Sequence, residues 1–98
     1  MESDWFEWDD ENASQNQIDH DGVTFEEAET VFYDEFGMTW NDEEHSEDED
    51  RLILIGASLR RRVLLVVYTE RVPCDERVRY RIISARRATQ AERRAYES

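Results

Sequence analysis

The chain has 98 residues, of which 39% are hydrophobic, and its formal net charge at pH 7 is −13. This length predicts one small domain spanning residues 1–98. A transmembrane helix is excluded because no window of about eighteen apolar residues exists. The single cysteine, Cys74, excludes an internal disulfide. The acidic start lacks the basic region of a signal peptide, so we expect a cytoplasmic protein without a membrane association.

The charge is divided unevenly along the chain. Residues 1–50 contain 20 acidic and no basic residues (net −20), whereas residues 51–98 contain 5 acidic residues and 12 arginines (net +7). Such asymmetry predicts an anionic partner for the basic half or a basic partner for the acidic half. The absence of lysine and the excess of acid are typical of proteins from salt-accumulating organisms, although an arginine-biased genome explains them equally.

The first half of the chain predicts a short strand followed by two helices. The WFEW run at residues 5–8 indicates the strand, and residues 10–20 indicate a polar helix that Gly22 ends. Thr24 and Glu27 have the spacing of a capping box, which predicts the start of a second helix. The apolar face of that helix recurs at helical spacing and comprises Phe25, Ala28, Val31 and Phe32.

The second half predicts four strands and a final helix. Residues 38–40, 52–55, 62–69 and 78–84 have strand-like apolar runs. In the last run Tyr80 and Ile82 alternate with Arg79 and Arg81, so the arginines belong to the other face of the sheet. Thr89 and Glu92 form a second capping box before the C-terminal helix.

These elements predict an α+β fold in the order β-α-α-β-β-β-β-α. Because consecutive strands joined by short turns pair antiparallel, we expect a twisted antiparallel sheet with its helices packed on one face. The other face would then carry Arg79 and Arg81.

Seven motifs along the chain carry a family resemblance. They are FEWD at residues 6–9, Asn16, HDGVTFEEA at 20–28, VF at 31–32, HSEDEDR at 45–51, LLVVYTER at 64–71 and RIISARRAT at 81–89. This series resembles the BrnT family of bacterial toxins over nearly the whole chain. The chain departs from the usual pattern at Asp19, where the family has a lysine, and at the inserted Asp21.

The resemblance implies a RelE-like fold and a metal-independent ribonuclease, without a cofactor, that inhibits translation. It also implies a cognate antitoxin, with two toxins and two antitoxins in a heterotetramer. The antitoxin would neutralise the toxin and would alone contact the operator DNA.

RNA cleavage without a metal needs a base, an acid and a cation that stabilises the charge on the phosphate. Histidine suits the proton transfers and arginine suits the phosphate. Through the matching motifs, the predicted catalytic residues are His45, Arg71, Arg81 and Arg86. The predicted supporting residues are His20, Glu49, Arg51 and Glu70, and the predicted RNA-binding residues are Arg79 and Arg87.

Each of these residues also has a structural interpretation. For His20 a role as a cap or packing residue at the end of the first helix is favoured, and for each single arginine an ion pair with one of the 25 acidic residues is favoured. One cysteine and two distant histidines do not predict a zinc site. The loss of the family's lysines leaves a second hypothesis open, in which the same fold binds an antitoxin without cleaving RNA. An unrelated structural domain is a third.

Overall fold

The computed structural model describes residues 5–45, 50–71 and 78–98. Five strands and three α-helices are present in this part of the chain. They are β1 (Phe6–Glu7), α1 (Asp10–Asp19), α2 (Phe25–Val31), β2 (Met38–Asn41), β3 (Leu52–Ala57), β4 (Val63–Arg71), β5 (Arg79–Arg87) and α3 (Gln90–Glu97). The predicted α+β class and the predicted order of elements are both confirmed. The turn predicted at residues 73–76 lies outside the described residues.

The strands form one sheet in the order β1-β5-β4-β3-β2. The pairs β2–β3, β3–β4 and β4–β5 are antiparallel, as predicted, but β1 pairs parallel with β5. The sheet is therefore mixed, and the prediction of a wholly antiparallel sheet is wrong at this edge. The hairpin rule does not apply there, because two helices and three strands separate β1 from β5 along the chain.

An irregularity in β5 determines which face each of its side chains occupies. Val67 pairs with Ser84 and Tyr68 pairs with Ile82, so Ile83 is an extra residue without a partner on β4. Such a bulge shifts the alternation by one residue. Tyr80, Ile82 and Ala85 consequently share one face, and Arg79, Arg81, Ser84 and Arg86 share the other.

Helices α1 and α2 cover the first of these faces, which we call the helix face. The core lies there, and its fully buried side chains include Val23, Phe25, Leu64, Val66 and Ile82. Both helices contact β5, and α2 also contacts β3 and β4. We call the other side of the sheet the open face.

The buried side chain of Asn16 attaches α1 to the edge of β5. Its amide nitrogen donates to the carbonyls of Val23 and Ala85, at 3.0 and 2.8 Å, and its oxygen accepts from the Ala85 amide at 3.0 Å. Asn16 thus gives Ala85 the two hydrogen bonds that a neighbouring strand would give. The polar helix α1 is held against the sheet by this contact as well as by apolar packing.

The start of α2 differs from the predicted capping box. The Thr24 hydroxyl accepts from the Glu27 amide at 3.0 Å, as predicted. The Glu27 carboxylate, however, accepts from Ser58 Oγ and forms a two-pronged ion pair with Arg62 instead of returning to Thr24. Glu27 is buried, and a buried carboxylate is costly unless it is paired and hydrogen-bonded, as it is here by Arg62 and Ser58. These contacts lower the pKa of Glu27, chiefly through the Arg62 hydrogen bond.

Helix α3 contacts the sheet on the open face through side chains near both of its ends. Glu92 binds Arg86 of β5, and Tyr96 donates to Asp34, which also accepts from the Ala57 amide at the end of β3. The helix contacts β3, and Ile55 and Leu65 are buried on the open face near these contacts. The predicted packing of helices on one face therefore describes α1 and α2, whereas α3 takes part in the other face. The capping box at Thr89 and Glu92 is confirmed.

We predict that Asn16→Ala strongly destabilises the protein. The substitution leaves three buried backbone groups without partners, and each such loss costs about 1 kcal/mol or more, so we expect about 3 kcal/mol in total. Urea unfolding followed by circular dichroism measures the change. Asn12→Ala, on an exposed turn of the same helix, is the control, and equal stability of the two variants would contradict the role given to Asn16.

Candidate functional site

Four arginines meet at one end of the open face. Arg81 of β5 pairs with Thr69 of β4, and Arg79 pairs with Arg71. Arg51 directly precedes β3, whose first residue pairs with Tyr68, so Arg51 lies beside Thr69 in the sheet. Neighbouring strands are about 4.8 Å apart, which brings these backbone positions close together. We call Arg51, Arg71, Arg79 and Arg81 the arginine end.

The arginine end is partly neutralised by an acidic side chain of β1. Arg71 forms an ion pair with Glu7 at 2.7 Å, and its side chain is half exposed. Glu7 also pairs with Arg81 in the parallel register of β1 and β5. One carboxylate of β1 therefore lies beside both Arg71 and Arg81 of this cluster.

The hydroxyl of Thr69 lies beneath this cluster. Thr69 is 1% exposed, and no hydrogen-bond partner for its Oγ1 is found within the described ranges. Sequence reasoning did not identify Thr69, because a threonine in a valine-rich strand is typical of ordinary strand structure. Its position opposite Arg81 became apparent only from the strand register.

The backbone of His45 lies in the neighbourhood of the arginine end. It ends a 3-10 turn, Glu43–His45, that follows β2. Asp42, the residue before this turn, donates its amide N–H to the Arg51 carbonyl at 2.8 Å, so the turn begins beside Arg51. Glu49, the other predicted residue of this loop, lies outside the described residues.

Glu70 belongs to the opposite side of the sheet from its neighbour Arg71. Successive side chains of a strand alternate, and Tyr68, two residues earlier, packs in the core of the helix face. Burial raises the pKa of Tyr68 to about 12, and the charge of Glu70 contributes to the same shift. Glu70 is therefore placed near Tyr68, while the ion-pair partner of Arg71 is Glu7.

The remaining predicted residues gather at the other end of β5. His20, Arg86 and Arg87 line a cavity of about 340 Å³ together with Asp19, Asp21 and Thr89. His20 also caps the C-terminus of α1 through its backbone amide, as its structural interpretation predicted. The β4 partners of Arg81 and Arg86 are Thr69 and Leu65, four residues apart, which corresponds to about 13 Å. The structure thus separates Arg86 and Arg87 from the arginine end.

Arg86 is bound tightly to α3. Its two terminal nitrogens donate to the two carboxylate oxygens of Glu92 at 2.8 and 2.9 Å. The pKa of Glu92 is lowered to about 2, chiefly by the Arg86 hydrogen bonds and also by the Thr89 amide, although burial acts in the opposite direction. A paired arginine of this kind is well suited to holding the helix in place.

Two further statements hold for the residues that the structure describes. No group of three or more His, Cys, Asp or Glu side chains is arranged there to hold a metal ion. Of the helices in the same ranges, none has the length and apolar character needed to cross a membrane.

Comparison with known families assigns the chain to a class of protein. A search of curated proteins gave no match. The family model described as "Ribonuclease toxin, BrnT, of type II toxin-antitoxin system" matches residues 8–92. The chain thus belongs to a class of ribonuclease toxins of type II toxin–antitoxin systems. Within that class it belongs to the BrnT family, as the sequence motifs predicted.

We predict that the Arg86–Glu92 pair stabilises the protein at neutral pH and not in strong acid. The pKa of Glu92 falls from near 4.5 to about 2 on folding, so the contribution is complete above pH 4.5 and disappears as the pH falls toward 2. Because the Arg86 side chain is 36% exposed, we expect about 1–2 kcal/mol and not the full value of the shift.

The measurement is the difference in unfolding free energy between the wild type and Glu92→Gln, at pH 7 and at pH 2.5. The difference should shrink at the lower pH. Glu97→Gln is the control, because Glu97 forms an exposed ion pair with Arg93 on the same helix. A difference between wild type and Glu92→Gln that is independent of pH would contradict the prediction.

Proposed function

We propose that this protein is a metal-independent endoribonuclease that inhibits translation, with its active site at the arginine end. The supporting observation is the convergence of Arg51, Arg71, Arg79 and Arg81 on one end of the open face. Guanidinium groups bind phosphate oxygens through paired hydrogen bonds, and several of them together favour a polyanion over a single carboxylate.

In this proposal Arg81 stabilises the charge that develops on the scissile phosphate. It is central in the cluster, between Thr69 on β4 and Glu7 on β1. Arg71 assists it, and its orientation is set by Glu7. Arg79 binds a neighbouring phosphate, and Thr69 offers a hydroxyl beside Arg81. Preorganised donors of this kind are usually the largest single contribution to catalysis.

His45 is the proposed proton-transfer residue, because histidine exchanges protons near neutral pH. Its turn starts beside Arg51, and Arg51 and Glu49 are proposed to support it. Glu70 is not assigned a role because it belongs to the helix face. We likewise place Arg86, Arg87 and His20 outside the active site, since they lie at the other end of β5.

A type II toxin acts with an antitoxin partner, and family membership implies one here. We propose a heterotetramer of two toxins and two antitoxins in the cytoplasm, in which only the antitoxin contacts operator DNA. The strongly acidic residues 1–50 favour a basic surface on that partner.

A second candidate function is antitoxin binding without RNA cleavage. The ion pairs that Arg71 and Arg86 form with acidic residues favour it, because both arginines belong to the predicted catalytic set. The acidic turn at Glu43–His45 also reduces the attraction for RNA near Arg51.

We predict that Arg81→Ala lowers the rate of RNA cleavage about 100-fold or more, whereas His20→Ala does not. Removing one preorganised donor from a developing oxyanion typically costs this much. The measurement is cleavage of a labelled RNA by full-length protein free of antitoxin, at low and at molar salt. Arg93→Ala is the control, since Arg93 is an exposed arginine of α3.

The opposite result, with His20→Ala inactive and Arg81→Ala active, would move the site to the cavity at the end of α1. If the wild type leaves RNA intact at both salt concentrations and its expression does not slow growth, the proposed ribonuclease function is wrong.

A further inference from the structure

An aromatic cavity lies at the β1 edge of the sheet, on the helix face. Its volume is about 410 Å³, and it is lined by Trp5, Phe6, Phe32, Tyr33 and Tyr80. All five lining residues are aromatic. Trp5 and Tyr33, at its rim, are 60% and 72% exposed. Exposed aromatic residues around a concave surface are typical of a binding site and costly in a surface without a ligand.

The floor of the aromatic cavity consists of rings that pack against one another. The ring of Phe6 packs against those of Phe32 and Tyr80 with centroid distances of 4.9 and 5.7 Å. Phe32 and Tyr80 also contact each other at 5.3 Å, and both pack on the buried Tyr68. A flat ligand entering the cavity would therefore meet rings that are already ordered, which lowers the entropic cost of binding.

The aromatic cavity adjoins the arginine end through β5 and β1. Tyr80 lies between Arg79 and Arg81 in β5, so its ring and the two guanidinium groups occupy opposite faces of one edge. On β1, Phe6 lines the cavity while the next residue, Glu7, holds Arg71. A ligand that combines an aromatic ring with negative charge matches both sides of this edge.

We propose that the aromatic cavity binds a nucleobase of single-stranded RNA, next to the phosphates held at the arginine end. The inference rests on the proposed function for the presence of RNA at that end. Bases stack on aromatic side chains in a sequence-tolerant way. The alternative occupant, an apolar side chain of a basic antitoxin, would bring positive charge toward Arg71, Arg79 and Arg81.

Base stacking also suits a chain whose net charge is −13. This protein and RNA are both negatively charged and repel each other at long range, and the contacts between arginines and phosphates weaken as salt rises. Stacking does not depend on counterion release. The aromatic cavity therefore supplies affinity that the few arginines do not provide by themselves.

The test is the affinity of full-length protein, free of antitoxin, for an end-labelled hexaribonucleotide carrying 2′-O-methyl groups. This RNA lacks the hydroxyl needed for cleavage, so binding is measured without turnover. We expect Tyr33→Ala to raise the Kd at least about fivefold. Its salt dependence should match the wild type, because no phosphate contact is lost. Arg79→Ala should instead reduce the slope of log Kd against log salt by about one.

Phe36→Ala is the matched control, because Phe36, like Tyr33, follows α2 in the chain. Phe36 is 73% exposed and does not line the cavity. We expect it to change the Kd by less than about twofold. With an abasic hexamer of the same backbone, the difference between Tyr33→Ala and the wild type should disappear.

Wild-type affinity for the hexamer in Tyr33→Ala overturns the inference. So does a Tyr33→Ala variant whose only defect is weaker antitoxin binding, since the cavity then belongs to the partner. If the wild type binds the hexamer but cleaves no RNA, the proposed ribonuclease function is ruled out, whereas the proposed nucleobase site is still supported.

Discussion

The closure of the β5 edge by Asn16 is the interaction on which the open face depends. β1 covers only Tyr80 and Arg81 of that edge, and an uncovered strand edge exposes unpaired amides and carbonyls. Asn16 supplies the missing hydrogen bonds at Ala85 and fixes the Val23 carbonyl before α2. The same contact holds Ala85 on the helix face, after the extra residue Ile83. The side to which Arg86 projects is thereby determined.

Because of that bulge, the basic residues of β5 divide into two groups with different surroundings. Arg79 and Arg81 lie beside Arg71 and Thr69, where the strands carry no covering helix among the described elements. Arg86 lies beneath the start of α3, and its charge is neutralised by Glu92. Strict alternation from Arg79 would have placed Arg86 on the helix face, away from α3. One extra residue thus converts a potential phosphate ligand into an anchor for the final helix.

Local patterns in the sequence predicted the elements well, whereas contacts between distant segments were not predictable. The capping box at Thr89 and the alternation of Arg79 with Tyr80 depend on neighbours in the chain, and both are observed. Three features depend instead on tertiary packing. They are the parallel pairing of β1 with β5, the bulge at Ile83 and the ion pair between Glu27 and Arg62. For the same reason the arginine end was predicted only in part. Arg71, Arg79 and Arg81 were expected together with Arg86 and Arg87, whereas the structure places these last two at the other end of β5.

The division of charge along the sequence is bridged in the fold, because Glu7 and Glu27 of the acidic half form ion pairs with Arg71 and Arg62 of the basic half. The acidic first half supplies β1, α1, α2 and β2, whereas the arginines belong to β4, β5 and α3 or to the segments that directly precede the last three strands, and the net charge is −13. Such a molecule repels a polyanion at long range and attracts it only at close contact, where the guanidinium groups are a few ångströms away and screening is least effective. An acidic chain of this kind therefore distinguishes between ligands by shape and short-range contacts and not by net charge. The aromatic cavity beside the arginine end is consistent with that requirement, since stacking and hydrogen bonding both act only at short range.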